Sequence, residues 1–534
     1  MKITLFSITC CAMIMTNVYA QEFKESVQPL SDKALKGQIY EVNKGNDGSN
    51  NIIYRMKVDK KSDAVSYEKY SFDKNLKFLG ATETKETKEN KPDVEHTYYG
   101  AYVGGTGVAA LRVTLKLNKD VALLSWNQKK QIYQVKKWIS SETIKAKNDD
   151  GRVYIGYASY SSKDEAKSNV FVISKTETKD KTLADVFSVL LFDDKLELKD
   201  KPIDLKGSYS LVYSSMLENE DVVMIFAPKG GSDVSKYIYF QYDIEGNLKN
   251  KVEFKSPASA LLISAAYDQD GNVYFFGTSV KSNDSYDKVF SEYWPIYNPG
   301  ARAASMEGNN KMDVKWRKCL DDKMDNFHLL KFSGSQLDFA STTPVDDFKS
   351  KFKTAPGDKG ASVYKGKKFQ LQKFYVTSSG DYLVAGQLTS WMTQKNGNSI
   401  DIIDSFKDII CFQFDKNGNV KAQYGIGKVN DDKASEIFSM EQNFFPSADN
   451  KTIYWELWEV KGDKDWFTGD ITRVFFPRIV KVDLSNSTLG EIQAMGKGKY
   501  YLKESKYDEQ DKSLVYIGND LKGKNLWVGK VLFD

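Results

Sequence analysis

Apolar and polar residues alternate in short runs along almost the whole chain, and tight-turn residues close the runs, so the pattern predicts antiparallel strands joined by hairpins. One unit recurs. An alternating run ends in an aromatic or apolar residue plus Asp, turns, and resumes, as in Tyr70-Ser-Phe-Asp73-Lys-Asn-Leu76, Leu190-Leu-Phe-Asp193-Asp-Lys-Leu196, Phe240-Gln-Tyr-Asp243-Ile-Glu-Gly-Asn-Leu248, Phe412-Gln-Phe-Asp415-Lys-Asn-Gly-Asn-Val420 and Val480-Lys-Val-Asp483-Leu484. Leu329-Leu-Lys-Phe332-Ser-Gly-Ser-Gln-Leu337 is the same unit with Ser for Asp. Glycine accepts positive φ at such a turn, and Asp and Asn bond the turn backbone.

A second hairpin sits between these copies: Ser264-Ala-Ala-Tyr-Asp268-Gln-Asp-Gly-Asn272-Val-Tyr-Phe-Phe-Gly277, Tyr375-Val-Thr-Ser-Ser-Gly380-Asp-Tyr-Leu-Val-Ala-Gly386, and 443–455, with weaker versions at 213–226 and 507–518. Two alternating hairpins make four antiparallel strands, which bury both faces only when units stack around an axis. The fold expected is therefore an all-β β-propeller of seven or eight four-stranded antiparallel blades. Third-strand endings at 73, 193, 243, 332, 415, 483 and 534 mark seven, and three alternating runs within 108–138 supply an eighth. The last run, Lys530-Val-Leu-Phe-Asp534, stops at a third-strand ending, so an N-terminal strand is expected to close the ring, with Gln38-Ile-Tyr-Glu-Val42 as its candidate. Helical periodicity is nearly absent. One short helix is expected, with Thr343 as cap, Pro344 first, Asp346 and Asp347 in the first turn, and an end near Phe352.

The second hairpin resembles the Asp-x-x-Gly-Asn-x-Tyr-x-x-Gly turn of secreted bacterial β-propeller-repeat proteins of the NHL type. The resemblance covers about half the chain and implies fold more than function.

Lys2, the apolar run from Ile3 to Met15 and Val18-Tyr19-Ala20 read as a signal peptide over 1–20, cleaved before Gln21, which leaves 21–534 as a single exported propeller domain, periplasmic, at the outer surface or extracellular. Acylation at Cys10 or Cys11 fits less well, and no later stretch has the roughly 20 apolar residues of a membrane-spanning helix. Of the 4 cysteines, Cys319 and Cys411 remain, too few for a zinc site or disulfide framework. The net charge of +4 on 28% charged residues gives no electrostatic case for nucleic acid.

Catalytic motifs are missing. Gly105-Thr-Gly107-Val-Ala-Ala110 precedes strand alternation, not the helix a dinucleotide needs, and Asp268-x-Asp270-Gly-Asn272 and Asp415-x-Asn417-Gly-Asn419 lack the closing Glu of a calcium loop. No cofactor or metal is expected. The chain holds 2 histidines; His328 enters a strand and reads as half-buried structure rather than a base.

The informative asymmetry is where the chain is long. Tight turns join first to second and third to fourth strands, whereas 281–326, 390–407 and 461–473 lie between second and third strands, and 343–369 crosses between blades. These connections share one face and carry Tyr293, Trp294, Tyr297, Arg302, Trp316, Trp391, Trp466 and Arg473, residue types enriched at binding hot spots. The first reading is a non-enzymatic exported propeller that binds an envelope or extracellular protein or glycan through this face. The alternative is a propeller hydrolase or lyase acting on extracellular polysaccharide or peptide through carboxylates.

Overall fold

The computed structural model describes residues 23–45, 47–56, 64–87, 93–104, 107–118, 137–145, 152–161, 168–176, 185–192, 198–217, 220–267, 272–290, 318, 321–358, 360–396, 399–427, 442–464 and 471–533. The proposed signal peptide and the 291–317 segment lie outside them.

The chain is all-β, and its described residues run through successive antiparallel meanders, eight of them numbered here in chain order. In the fourth, strands Tyr209–Met216, Val222–Pro228, Lys236–Tyr242 and Leu248–Lys255 pair in chain order; in the fifth, Leu261–Tyr267, Val273–Ser279, Asn326–Ser333 and Gln336–Pro344 do the same. The first (38–87), third (152–202) and sixth (369–426) repeat this order, the second (93–145) has three strands, and the seventh and eighth join through Phe475↔Leu502. All seven expected third-strand endings fall at third strands.

Burial explains the repeating pattern. Successive side chains of a strand point to opposite faces, and a second strand here has a neighbouring sheet on each face. Val222, Met224 and Phe226 pack toward the third sheet while Val223, Ile225 and Ala227 pack toward the fifth, so this strand is a continuous apolar run, buried throughout. The fourth strand of the fifth sheet lies at its edge and alternates, with every other residue of Gln336–Pro344 exposed until Thr343, whereas that of the sixth, Val420–Ile426, is covered by Phe352–Thr354 and buried over most of its length. Six apolar clusters each span two successive sheets, from the third and fourth round to the eighth and first, where Ile52, Tyr54, Tyr70 and Phe72 meet Val515, Ile517, Leu526 and Val528. Successive sheets packed face to face in this way make the fold propeller-like.

The Asp that ends a third strand is used by its own turn. Asp243 Oδ1 accepts from Asn247 N at 2.7 Å, Asp415 Oδ1 from Asn417 N and Asn419 N at 2.9 Å, and Asp73 Oδ1 from Lys77 N at 2.8 Å. Turn chemistry thus consumes the carboxylate at 415–419 that a cation would need; residues 268–271 lie outside the described set. Behind two of these turns the same buried network recurs: Asp221 accepts Gln241 Nε2 at 2.6 Å and Lys249 Nζ at 2.7 Å, and Asp381 accepts Gln413 Nε2 at 2.7 Å and Lys421 Nζ at 3.0 Å.

Four expectations are corrected. The strand beside Asn525–Leu532 is Phe23–Pro29, paired from Phe23↔Val531 to Pro29↔Asn525, because Gln38–Lys44 finds a local hairpin partner in Asn50–Arg55. The helix is a 3-10 turn over Val345–Lys351 with Pro344, not Thr343, at its cap, since Thr343 still pairs with Phe327. The segments 390–407 and 461–473 are not loops: Tyr382–Asn396 pairs with Ser399–Phe414 out to Asn396↔Ser399, and Thr452–Lys464 with Ile471–Asp483 out to Lys464↔Ile471, so both project as two-stranded arms. His328 is fully buried rather than half-buried, 1% exposed.

Candidate functional site: a serine-lined cleft between two sheets

Antiparallel order puts three connections at one end of the fourth and fifth sheets: 229–235 between second and third strands, the 256–260 crossing, and the chain leaving Ser279 and returning at Asn326. They enclose a cleft of about 640 Å³, within the range of small-molecule sites. This is the face on which sequence reasoning placed function.

Three Ser-x-x-Ser segments furnish most of its wall, Ser232-Asp-Val-Ser235, Ser256-Pro-Ala-Ser259 and Ser279-Val-Lys-Ser282. Each caps or leaves a strand, where a short hydroxyl side chain bonds the local backbone that the ladder leaves open. Asp233 Oδ1 accepts from Ser235 N at 3.0 Å and Ser235 Oγ at 2.6 Å, which holds this exposed carboxyl below its usual range. Ser256 Oγ donates to Ala258 O at 2.7 Å and Ser259 Oγ to Ser282 O at 2.9 Å, tying the crossing to the 280s. Beneath them Tyr237 OH donates to Ser259 O at 3.0 Å and accepts from Leu261 N at 3.1 Å, fully buried.

The floor is a polar ladder across the fifth sheet. Asn326 Nδ2 donates to Ser279 Oγ at 3.3 Å, Ser279 Oγ lies 2.8 Å from His328 Nε2, and His328 Nδ1 lies 3.0 Å from Thr342 Oγ1. Ser279 Oγ thus accepts from Asn326 and shares a hydrogen bond with one ring nitrogen, while Thr342 shares one with the other. Burial drives the His328 pKa down to about 4, so the ring is neutral at neutral pH. A serine hydrogen-bonded to a neutral imidazole has the contacts of a nucleophile and its base. Ser279 is nevertheless 0% exposed and the third partner is a hydroxyl, so the ladder fixes the floor and does not present a nucleophile.

A second pair of perturbed groups lies on strand Tyr500–Asp508. Lys503 and Glu504 are exposed, yet burial lowers the Lys503 amine and raises the Glu504 carboxyl from their ordinary values. Lys503 also occupies the extra residue of a β-bulge that recurs in first strands at Tyr40, Ile155, Val212 and Gln372.

Of the residues singled out from sequence, Tyr293, Trp294, Tyr297, Arg302, Trp316 and Trp466 lie outside the described residues. Arg473 is placed by its backbone, opposite Gly462 in the seventh-sheet arm. Trp391 stands on the sixth-sheet arm, half-buried, with Nε1 donating to Asp321 Oδ2 at 2.9 Å, and Lys368 Nζ lies 3.7 Å from the same carboxylate. Its indole ties the arm to the end of the long insertion. Cys411 is a buried free thiol whose pKa burial raises well above the ordinary value, and Cys319 lies outside the described residues. Among the described residues no cluster of three metal-ligating side chains occurs, and no helix is long and apolar enough to cross a membrane. Sequence reasoning missed the cleft serines, although the signal was present as three Ser-x-x-Ser segments at similar intervals.

No family model and no curated protein sequence matches the chain. Similar solved structures include the GH93 α-L-arabinofuranosidase of Fusarium graminearum with arabinobiose, 10% identical over 72% of this chain and 94% of that one at a TM-score of 0.23. A neuraminidase-like protein of A/little yellow-shouldered bat/Guatemala is 9% identical over 69% and 91%, with a TM-score of 0.26. A Synechocystis apocarotenoid oxygenase mutant is 8% identical over 88% of both chains, with a TM-score of 0.28. Likenesses at these scores carry no argument about activity, and the NHL-type resemblance finds no family match.

Proposed function

We propose that the chain is an exported eight-bladed β-propeller, closed by strand Phe23–Pro29, that binds a glycan at the cleft between its fourth and fifth blades. The observation that carries this reading is the cleft wall itself: hydroxyl and amide side chains on a rigid frame, the complement of a polyhydroxylated ligand rather than of an apolar protein surface. Ser232 and Asn283 are exposed at its rim, and the half-buried Ser259 hydroxyl, which donates to the backbone, keeps oxygen lone pairs for a sugar hydroxyl. On this reading the aromatic and Arg residues singled out from sequence, Tyr293, Trp294, Tyr297, Arg302, Trp391, Trp466 and Arg473, add to the ligand contacts.

A glycan array probed with the chain from Gln21 onward tests this directly. Binding that Ser232→Ala and Asn283→Ala weaken supports the cleft, whereas binding only to envelope proteins moves the function to a protein partner.

One observation favours the alternative, a glycoside hydrolase or lyase. Glu504, raised by its surroundings on a first strand that would line the propeller axis, has the environment of a general acid. Release of reducing ends from a polysaccharide, lost in Glu504→Gln, would make the protein an enzyme; no release from any polymer that binds would leave it a binding protein.

A further inference from the structure

We infer that the cleft is specific for an acidic polysaccharide, with Lys255 and Lys281 receiving the anionic group and the serine wall receiving the sugar hydroxyls; this rests on the glycan reading above. Two lysines and one aspartate line the cleft. The aspartate is already engaged, because Asp233 accepts both the amide and the hydroxyl of Ser235. The lysines are exposed at the mouth and neither forms a salt bridge among the described residues, although the charge of Lys255 helps hold the Asp233 carboxyl down. Their neighbours behave differently. Lys236 lies 2.6 Å from Glu253, Lys288 3.3 Å from Asp284, Lys323 3.5 Å from Asp325 and Lys229 3.9 Å from Asp287. Around this cleft, then, the flanking ammonium groups sit in salt bridges with protein carboxylates, and among the described residues the two that line it do not.

Two exposed ammonium groups outside any salt bridge among the described residues, beside a serine wall, match a sugar that carries both charge and hydroxyls. Lys281 is well placed for this, since its backbone N–H donates to Asp325 Oδ2 at 2.7 Å and anchors the residue while the side chain stays free to reach the ligand. Ser282 Oγ accepts from Asp284 N at 3.1 Å, which leaves its O–H to donate to a ligand oxygen. The charge on the sugar can be a carboxylate, as in a uronic acid, or a sulfate ester. Both are oxyanions that an ammonium recognises as a point charge.

The test compares binding of three polymers by calorimetry: polygalacturonate, the same polymer with its carboxylates reduced to alcohols, and dextran sulfate. The inference predicts that at least one acidic polymer binds roughly tenfold or more tighter than the reduced one, and that Lys255→Gln with Lys281→Gln removes this preference. Which acidic polymer binds identifies the anion. A control pair at the opposite end, Lys74→Gln with Lys416→Gln, leaves binding unchanged; an equal loss in the control means diffuse charge attraction and overturns the site. Equal binding of neutral and acidic polymers, unaffected by the cleft lysines, overturns the acidic specificity and leaves the glycan reading standing. Binding to none of the three, together with a blank glycan array, overturns both.

Discussion

The two ends of the fourth sheet are built from similar residues put to opposite use. At the tight-turn end, Asp221, Gln241, Lys249 and Asn250 close on one another, with Asn250 Nδ2 donating to Gln241 Oε1 at 2.7 Å. At the cleft end Lys255, on the same fourth strand as Lys249, forms no salt bridge among the described residues, and hydroxyls stand in place of a closed network. The sixth sheet repeats the closed end with Asp381, Gln413 and Lys421, whose free contacts go on to Leu484 O in the next sheet. Polar groups that satisfy one another hold sheets in register; polar groups left open to solvent at a concave surface are available to a ligand. The difference separates scaffold from site without any motif.

Changes that break the closed end should cost most. Asp381→Ala leaves the buried Gln413 amide and the Lys421 ammonium with only Leu484 O as acceptor, and should lower stability by about 2 to 4 kcal/mol in urea unfolding, with glycan binding unaltered. The cleft floor gives the next effect, and it depends on pH. His328 titrates near its ordinary 6.5 when unfolded and at about 4 when folded, so between those values the unfolded chain takes up a proton that the folded chain refuses. Stability from this group is complete above about pH 6.5 and falls by about 3 kcal/mol as pH drops toward 4. Unfolding of wild type and His328→Gln at pH 7 and pH 4.5 checks the slope, which the variant should lack.

The arms give a smaller effect. Trp391→Phe keeps the ring's bulk and removes the bond to Asp321, so it should lower stability by about 1 kcal/mol and leave glycan affinity unchanged if the indole serves to pin the arm. A loss of affinity with an unchanged melting temperature would instead place the arm in the binding surface. Smallest in stability is Ser232→Ala, an exposed position that should stay within about 0.5 kcal/mol of wild type. Its glycan affinity should nonetheless drop severalfold, which the closed end cannot mimic.

Local chemistry made much of this legible in sequence. Phe240-Gln-Tyr-Asp243 and Phe412-Gln-Phe-Asp415 announce third strands because the Asp bonds amides within four residues of itself. The tight-turn networks follow from the same copies, since Gln and Lys keep fixed offsets from that Asp. What depended on distant partners was lost. Both 23–29 and 38–44 read as strands, and only packing against 525–532 decides which one lies beside the C-terminal strand. Asn396-Gly397 was a hairpin signal inside a segment taken for a loop because of its length. The three Ser-x-x-Ser segments stand in the sequence, but that they form one cleft was not legible, because they belong to three connections that approach only when two sheets pack.

Hydrogen–deuterium exchange of the chain, with and without the polysaccharide that binds it best, tests the central claim most directly. Protection confined to 232–235, 256–259 and 279–283, with the turns at 243–247 and 415–419 unchanged, is the predicted result. Protection at those turns, with the cleft segments exchanging as in the free protein, would contradict it.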